Sequence, residues 1–276
     1  MSAIIIALIN KKGGVGKTST CHHLAGTLAR DGRRVLLVDN DPQASLTMGL
    51  FGPETTQGIT RTTSVAVLYD DATEAIPEAL IRPTAFEGVR IVPGSDHLTD
   101  YNMLPRDRWG PSQGGMRAFL DECRDAFDVA LIDCAPNLHL CSQAALVAAD
   151  AAVVPLQAED YGAMGIVPIQ NAIAAVQAGP NPALRLMGYL LTMYDKRLGI
   201  HLAYERQLRE LYGPDVFAAP FPLAKDFKEA VASGMPIAYY KPKSAAAKAT
   251  KAVADEVLAR AAALLDAESD PARRVA

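Results

Sequence analysis

The chain has 276 residues, half of them hydrophobic, 21% charged, with a net charge of −4. That is enough for one α/β domain with a full core, and it excludes a global basic field announcing nucleic acid, so any DNA contact must come from a local patch. No run approaches the ~18 apolar residues of a membrane span, the amino terminus lacks the charged region of a secretory leader, and the four cysteines form no C-x-x-C pair; a cytoplasmic chain with reduced, packed thiols is expected.

Residues 3–9, AIIIALI, are apolar and rich in β-branched side chains, the pattern of a strand buried on both faces of a parallel sheet. A glycine turn follows, with Gly13, Gly14 and Gly16 around Val15, and then Lys17, Thr18 and Ser19 open a helix. Such a turn lets successive backbone N–H groups converge on phosphate oxygens, and the helix aims its N-terminal dipole at the same anion. Lys17 is expected to bring a point charge to the β- and γ-phosphates, and the Thr18 hydroxyl to hold Mg²⁺. A glycine turn alone is only a tight strand-to-helix connection; strand, glycines, Lys-Thr and helix together specify a nucleotide phosphate site.

The first helix runs to about Arg30 and closes at Asp31-Gly32. Its adjacent His22 and His23 point in different directions, which favours packing or solvation over a metal site. A second buried strand, residues 34–39, carries Asp39 and Asp41 at its carboxyl end, where open parallel sheets hold their ligands. Asp41 is the candidate for orienting or deprotonating the attacking water, and Asp39 for holding Mg²⁺ through water; an ordinary capping turn accounts for one of the two at most. Residues 53–63 read as a loop, TTSVAVLYDD as a short helix, 88–95 as a third strand with a turn, 96–113 as a polar connection and 114–124 as a helix. FDVALID, residues 127–133, is an apolar strand ending in Asp133, a third acid at the same edge and an indirect Mg²⁺ ligand. Strands at 151–156 and 184–193, a helix from Glu159-Asp160-Tyr161 to about Gln177, and a last helix from Ser244 to about Asp266 complete the expected chain. Lys241, Lys243, Lys248 and Lys251 form its best basic cluster, and a polar tail from about residue 268 is expected to be disordered.

KKGGVGKTS at 11–19 resembles the deviant Walker A motif of the ParA/MinD group of P-loop ATPases, and VDNDPQAS at 38–45 resembles the ParA branch of that group. The resemblance extends to SLTMGLFG, to Asp133-Cys134-Ala135-Pro136 as the family's D-x-x-P switch, and to LQAEDYGAMG at the family's dimer face. It implies one P-loop domain over residues 1–276, α/β with a mostly parallel twisted sheet and helices on both faces. It also implies a homodimer with ATP and Mg²⁺ sandwiched between subunits, in which Lys12 reaches the partner's phosphates and Asp41 is catalytic. Pro222 in Phe221-Pro-Leu-Ala224 is implied as an adenine contact, although Ala224 replaces the family's asparagine. Many P-loop proteins read the base with Asn-x-x-Asp after the last of these strands; Thr192 stands at that asparagine's place. The family's ATP state binds DNA non-specifically and answers to a ParB-like stimulating partner, which implies nucleoid association. Here Asp226 occupies the place of the family's DNA-binding arginine, between Lys225 and Lys228. No helix-turn-helix is expected before the P-loop, and the polar tail argues against a membrane surface. The alternatives are a membrane-surface positioning ATPase of the MinD sort, a biosynthetic P-loop enzyme, and a scaffold that binds ATP but barely hydrolyses it.

Overall fold

A computed structural model describes residues 2–70, 72–158 and 165–269. Seven strands form one sheet: β1 Ile4–Leu8, β2 Val35–Asn40, β3 Arg82–Pro83, β4 Val89–Val92, β5 Val129–Cys134, β6 Ala151–Gln157 and β7 Arg185–Thr192. Their order is β3-β4-β2-β5-β1-β6-β7, parallel throughout except where the two-residue β3 runs antiparallel along the β4 edge. Helices of seven or more residues among the described ones are α1 Lys17–Arg30, α2 Ser45–Phe51, α3 Gly115–Cys123, α4 Leu140–Ala148, α5 Val167–Gln177, α6 Gly199–Tyr212, α7 Lys225–Ala232 and α8 Ala245–Ser269. None is long and apolar enough to cross a membrane.

The period-two alternation of the strands builds two cores. Ile4, Ile6 and Leu8 of β1 face α1, α2, α7 and α8, while Ile5 and Ala7 face α3, α4, α5 and α6. β2 and β5 obey the same parity, so Val35, Leu37 and Asp39, and Val129, Leu131 and Asp133, share the α1 face. Asp39 and Asp133 are direct register partners on adjacent strands. Sheet order thus places both acids beside the turn that leaves β1.

Four helices carry no counterpart in the sequence reading: α2, α4, α6 and α7. The short helix expected in TTSVAVLYDD is present as a 3₁₀ helix, Val65–Tyr69. α5 provides the later part of the helix expected up to Gln177; its expected start at Glu159-Asp160-Tyr161 lies outside the described residues, as does most of the tail, α8 running to Ser269.

Candidate nucleotide-binding site

The turn after β1 is shaped by Gly14 and Gly16, with φ of 77° and 84°, a left-handed backbone that side-chain-bearing residues adopt at a cost. Asn10 fixes the entry to the turn. Its Oδ1 accepts the Lys12 N–H at 2.9 Å and its Nδ2 donates to the Pro155 carbonyl at 2.7 Å. Lys17, 6% exposed, folds back over the loop and donates from Nζ to the Lys12 carbonyl at 3.0 Å. Burial pushes the Lys17 pKa down, and the nearby charge of Asp133 opposes it. Lys12 itself is exposed, with its backbone held at both N–H and C=O.

The two register-paired acids are fully buried. Asp39 Oδ2 accepts from the Thr47 N–H at 2.8 Å and the Thr47 hydroxyl at 2.6 Å, while Asp39 Oδ1 and both Asp133 oxygens have no hydrogen-bond donor among the described residues. Thr47 Oγ1 also accepts the Gly94 N–H at 2.8 Å, and a Cβ at Gly94 would stand 2.7 Å from the Asp39 carboxyl carbon. Only glycine lets the turn after β4 pass that close. Burial pushes both acids up; the charge of Asp39 adds to the rise at Asp133, where Thr18 and Lys17 act in the opposite sense, and the Thr47 hydrogen bonds oppose the rise at Asp39. Buried carboxylate oxygens without donors, beside a threonine hydroxyl, form an oxygen donor set that a hard divalent cation satisfies. Mg²⁺ takes few protein ligands and completes its shell with water and phosphate.

A cavity of about 680 Å³ opens here, lined at one end by Gly13, Gly14, Gly16, Lys17, Thr18 and Ser19, with Asp41 and Pro136 alongside. Asp41 Oδ1 accepts the Gln43 N–H at 2.9 Å, the turn the Asp-Pro sequence favours, and its carboxylate remains partly exposed to the cavity. The other end is walled by Met193, Phe221, Pro222, Leu223, Phe227 and Val231. Pro222 reaches it because Tyr194 bonds to the residues on either side of it: Tyr194 N–H donates to the Phe221 carbonyl at 3.0 Å and Leu223 N–H to the Tyr194 carbonyl at 2.9 Å.

That wall leans on α1. His23 is buried against Phe227, ring centroids 4.9 Å apart, and its Nδ1 accepts the Ile237 N–H at 3.1 Å. Burial, aided by neighbouring His22, pushes the His23 pKa down to about 3. Both histidines are buried, so packing is their role and solvation is not.

The structure therefore brings Lys12, Gly13, Gly14, Val15, Gly16, Lys17, Thr18, Ser19, Asp39, Asp41, Asp133 and Pro222 to one carboxyl edge of the sheet. Sequence reasoning missed Asn10 and Thr47, which hold the loop and Asp39. A polar residue ending an apolar strand was the available signal for Asn10; for Thr47 there was none, because its partner is eight residues away across a left-handed turn at Ala44. Two of the four lysines of the basic cluster are consumed internally. Lys241 donates to Asp226 at 2.8 Å and Glu229 at 2.6 Å, and Lys251 pairs with Asp31 and Asp255. Lys228, Lys243 and Lys248 stay exposed.

A glycine loop, a buried lysine and two buried acids at the carboxyl edge of a parallel sheet define a P-loop nucleotide-binding protein. Residues 3–186 match the AAA_31 family, described as an AAA domain, and the chain belongs to this ParA/MinD-like family of P-loop ATPases. It is 38% identical over 256 residues to the chromosome-partitioning ATPase Soj of Thermus thermophilus, covering 92% of this chain and 95% of that protein. It is 34% identical over 275 residues to the chromosome partitioning protein ParA of Myxococcus xanthus, covering 99% and 92%. Among solved structures, cobyrinic acid a,c-diamide synthase from Mycobacterium smegmatis, with bound ATP analogue and magnesium, shares the fold with a TM-score of 0.78 and 30% identity over 93% of this chain and 94% of that one.

Proposed function

We propose that this chain is a partition ATPase that dimerises around ATP, binds DNA non-specifically in that state, and positions plasmid or chromosome DNA or another cargo until hydrolysis to ADP and phosphate resets it. The observation that carries the reading is that the glycine loop and Lys17 line one cavity while the buried Asp39–Asp133 pair, with three carboxylate oxygens lacking donors, lies at the same edge of the sheet. The partition relatives give it its biological direction.

In this reading the N–H groups of residues 13–18 cradle the β-phosphate, and Lys17 Nζ exchanges its Lys12 carbonyl for phosphate oxygens. Thr18, with Asp133 and Asp39 acting through water, would hold Mg²⁺, which when bound neutralises charge on the β- and γ-oxygens. Asp41, anchored by Gln43 and facing the cavity, orients the attacking water. Lys12 serves the partner's triphosphate as an arginine finger does elsewhere, so hydrolysis depends on the closed pair. Such a design is slow alone and open to stimulation by a ParB-like partner; the protein is then nucleoid-associated within the cytoplasm.

DNA contact falls to the lysines left unspent, Lys228, Lys243 and Lys248. Phosphate contacts of this kind are salt-dependent, and each lysine replaced by alanine is expected to lower the log–log salt slope by about 1. The test is co-sedimentation with plasmid DNA: retention with MgATP at low salt and release with MgADP are expected, and no ATP-dependent retention at low salt removes the DNA function. The fold shared with an amide-forming synthase supports a second reading, a biosynthetic P-loop enzyme. Lys12→Ala separates them, because a small-molecule enzyme keeps full turnover without that lysine, whereas the partition reading predicts a loss of roughly 10²-fold or more.

A further inference from the structure

β7 ends on Thr192, and that side chain is turned onto the phosphate loop. The residue is buried, and its hydroxyl donates toward the Val15 carbonyl at 2.8 Å, with the Leu156 carbonyl at 3.2 Å as a second acceptor. Its Cβ and Cγ2 stand 3.7 Å from where a Gly16 Cβ would be. One side chain therefore touches the Val15–Gly16 peptide through both its polar and its apolar atoms.

We propose that Thr192 is a positioning residue for the phosphate loop: its hydroxyl fixes the orientation of the Val15–Gly16 peptide and takes no part in reading the base. The peptide is planar and trans, so holding the Val15 C=O toward Thr192 turns the Gly16 N–H the opposite way. That N–H belongs to the left-handed Gly16 that starts α1, where orientation of donors decides whether an anion is bound. The hydroxyl has one proton, and two carbonyls already compete for it, so none is left to donate to a base.

The arrangement is doubled at the other end of the loop. Asn10 grips the Lys12 N–H and the Pro155 carbonyl, so that both ends of the turn hang from consecutive carbonyls, 155 and 156, on β6. β6 is an inner strand paired on both sides, a stiff support for a loop whose glycines supply no stiffness of their own. The inference rests on the phosphate-site reading above and deepens it.

The experiment measures dissociation constants of the full chain for MgATP, MgGTP and magnesium tripolyphosphate, in wild type, Thr192→Val and Thr192→Ser. T192V keeps the shape and removes the donor; T192S keeps the donor and removes a methyl. T192V is expected to weaken all three ligands by the same factor, about tenfold, the worth of one buried hydrogen bond, while T192S stays within about threefold of wild type. Should T192V fail to fold, Thr192→Ala against T192S differs by the oxygen atom alone and carries the same comparison. The proposal is overturned if the hydroxyl-free variant binds as its hydroxyl-bearing control does, or if MgATP and MgGTP lose affinity by clearly different factors, which would make Thr192 a reader of the base. A wild-type chain that binds none of the three ligands overturns the phosphate site itself, and this inference with it.

Discussion

At one end of the cavity stand glycines and a lysine 6% exposed, with two acids of no exposure at all buried behind them; at the other, Phe221, Leu223, Phe227 and Val231 present an apolar wall in which Leu223 remains half exposed. Polar atoms at the first end are held by specific partners: Asn10 and Thr192 fix the loop, and Thr47 fixes Asp39. The second end is held by packing, with His23 behind Phe227 and the backbone bonds of Tyr194 to Phe221 and Leu223 behind Pro222. Charge in a buried site acts strongly and directionally, whereas apolar contact acts in proportion to area. Recognition of phosphate should therefore be steep and sensitive to single atoms, and recognition of the base shallow and tolerant.

Breaking the phosphate end gives the largest effect. Lys17→Ala is expected to lower kcat/KM for MgATP by about 10³-fold or more, with most nucleotide affinity gone, because the one buried cation facing the triphosphate is removed. A variant with near-wild-type titration calorimetry would contradict the geometry. Next comes Asp41→Ala. Turnover should fall by roughly 10²- to 10⁴-fold while the dissociation constant for MgATP stays within about threefold, since Asp41 is anchored at the rim and acts on water rather than on the ground state.

The packed end is broken more gently, by acid. His23 is neutral in the folded protein and titrates near 6.5 when unfolded, so the unfolded chain binds the extra proton between those values. Its contribution to stability is complete above about pH 6.5 and is lost as pH falls toward 3, at up to about 1.4 kcal/mol per pH unit. Asp39 and Asp133, pushed up by burial, respond in the opposite sense, so the histidine is isolated by difference. Urea unfolding between pH 7 and 5 should show His23→Gln with a flatter dependence than wild type; parallel curves would remove the titration from His23. Smallest of all is Leu223→Ala, expected to raise KM for ATP about threefold with kcat unchanged, as a half-exposed side chain with uniform binding should.

The same contrast governs what the sequence disclosed. The phosphate end lies within Lys12–Ser19 plus three strand-terminal acids, and there local residue types dictate backbone conformation directly: glycine where φ is positive, β-branched runs where strands are buried. The wall at the base end is assembled from residues 193 and 221–231, joined by a bridge between Tyr194 and Pro222 that no local pattern announces. Helices α2, α4, α6 and α7 were unreadable for a related reason. Their N-caps are Ala44, His139, Leu198 and Ala224, with no side-chain cap bond, so the usual start signals are missing and tertiary packing decides them. The lysine cluster misled in the other direction. Spacing alone displays Lys241 as a surface cation, but the turn at Gly234, with φ of 65°, folds it back onto Asp226 and Glu229.

In the proposed cycle, two lysines at the two ends of one glycine turn serve two triphosphates in a closed pair of subunits. Light scattering on Asp41→Ala, saturated with MgATP and then with MgADP, reads out that pair. A dimer with ATP that returns to monomer with ADP, and fails to form once Lys12→Ala is added, is the predicted result; a protein that binds MgATP yet remains monomeric in every case would contradict it.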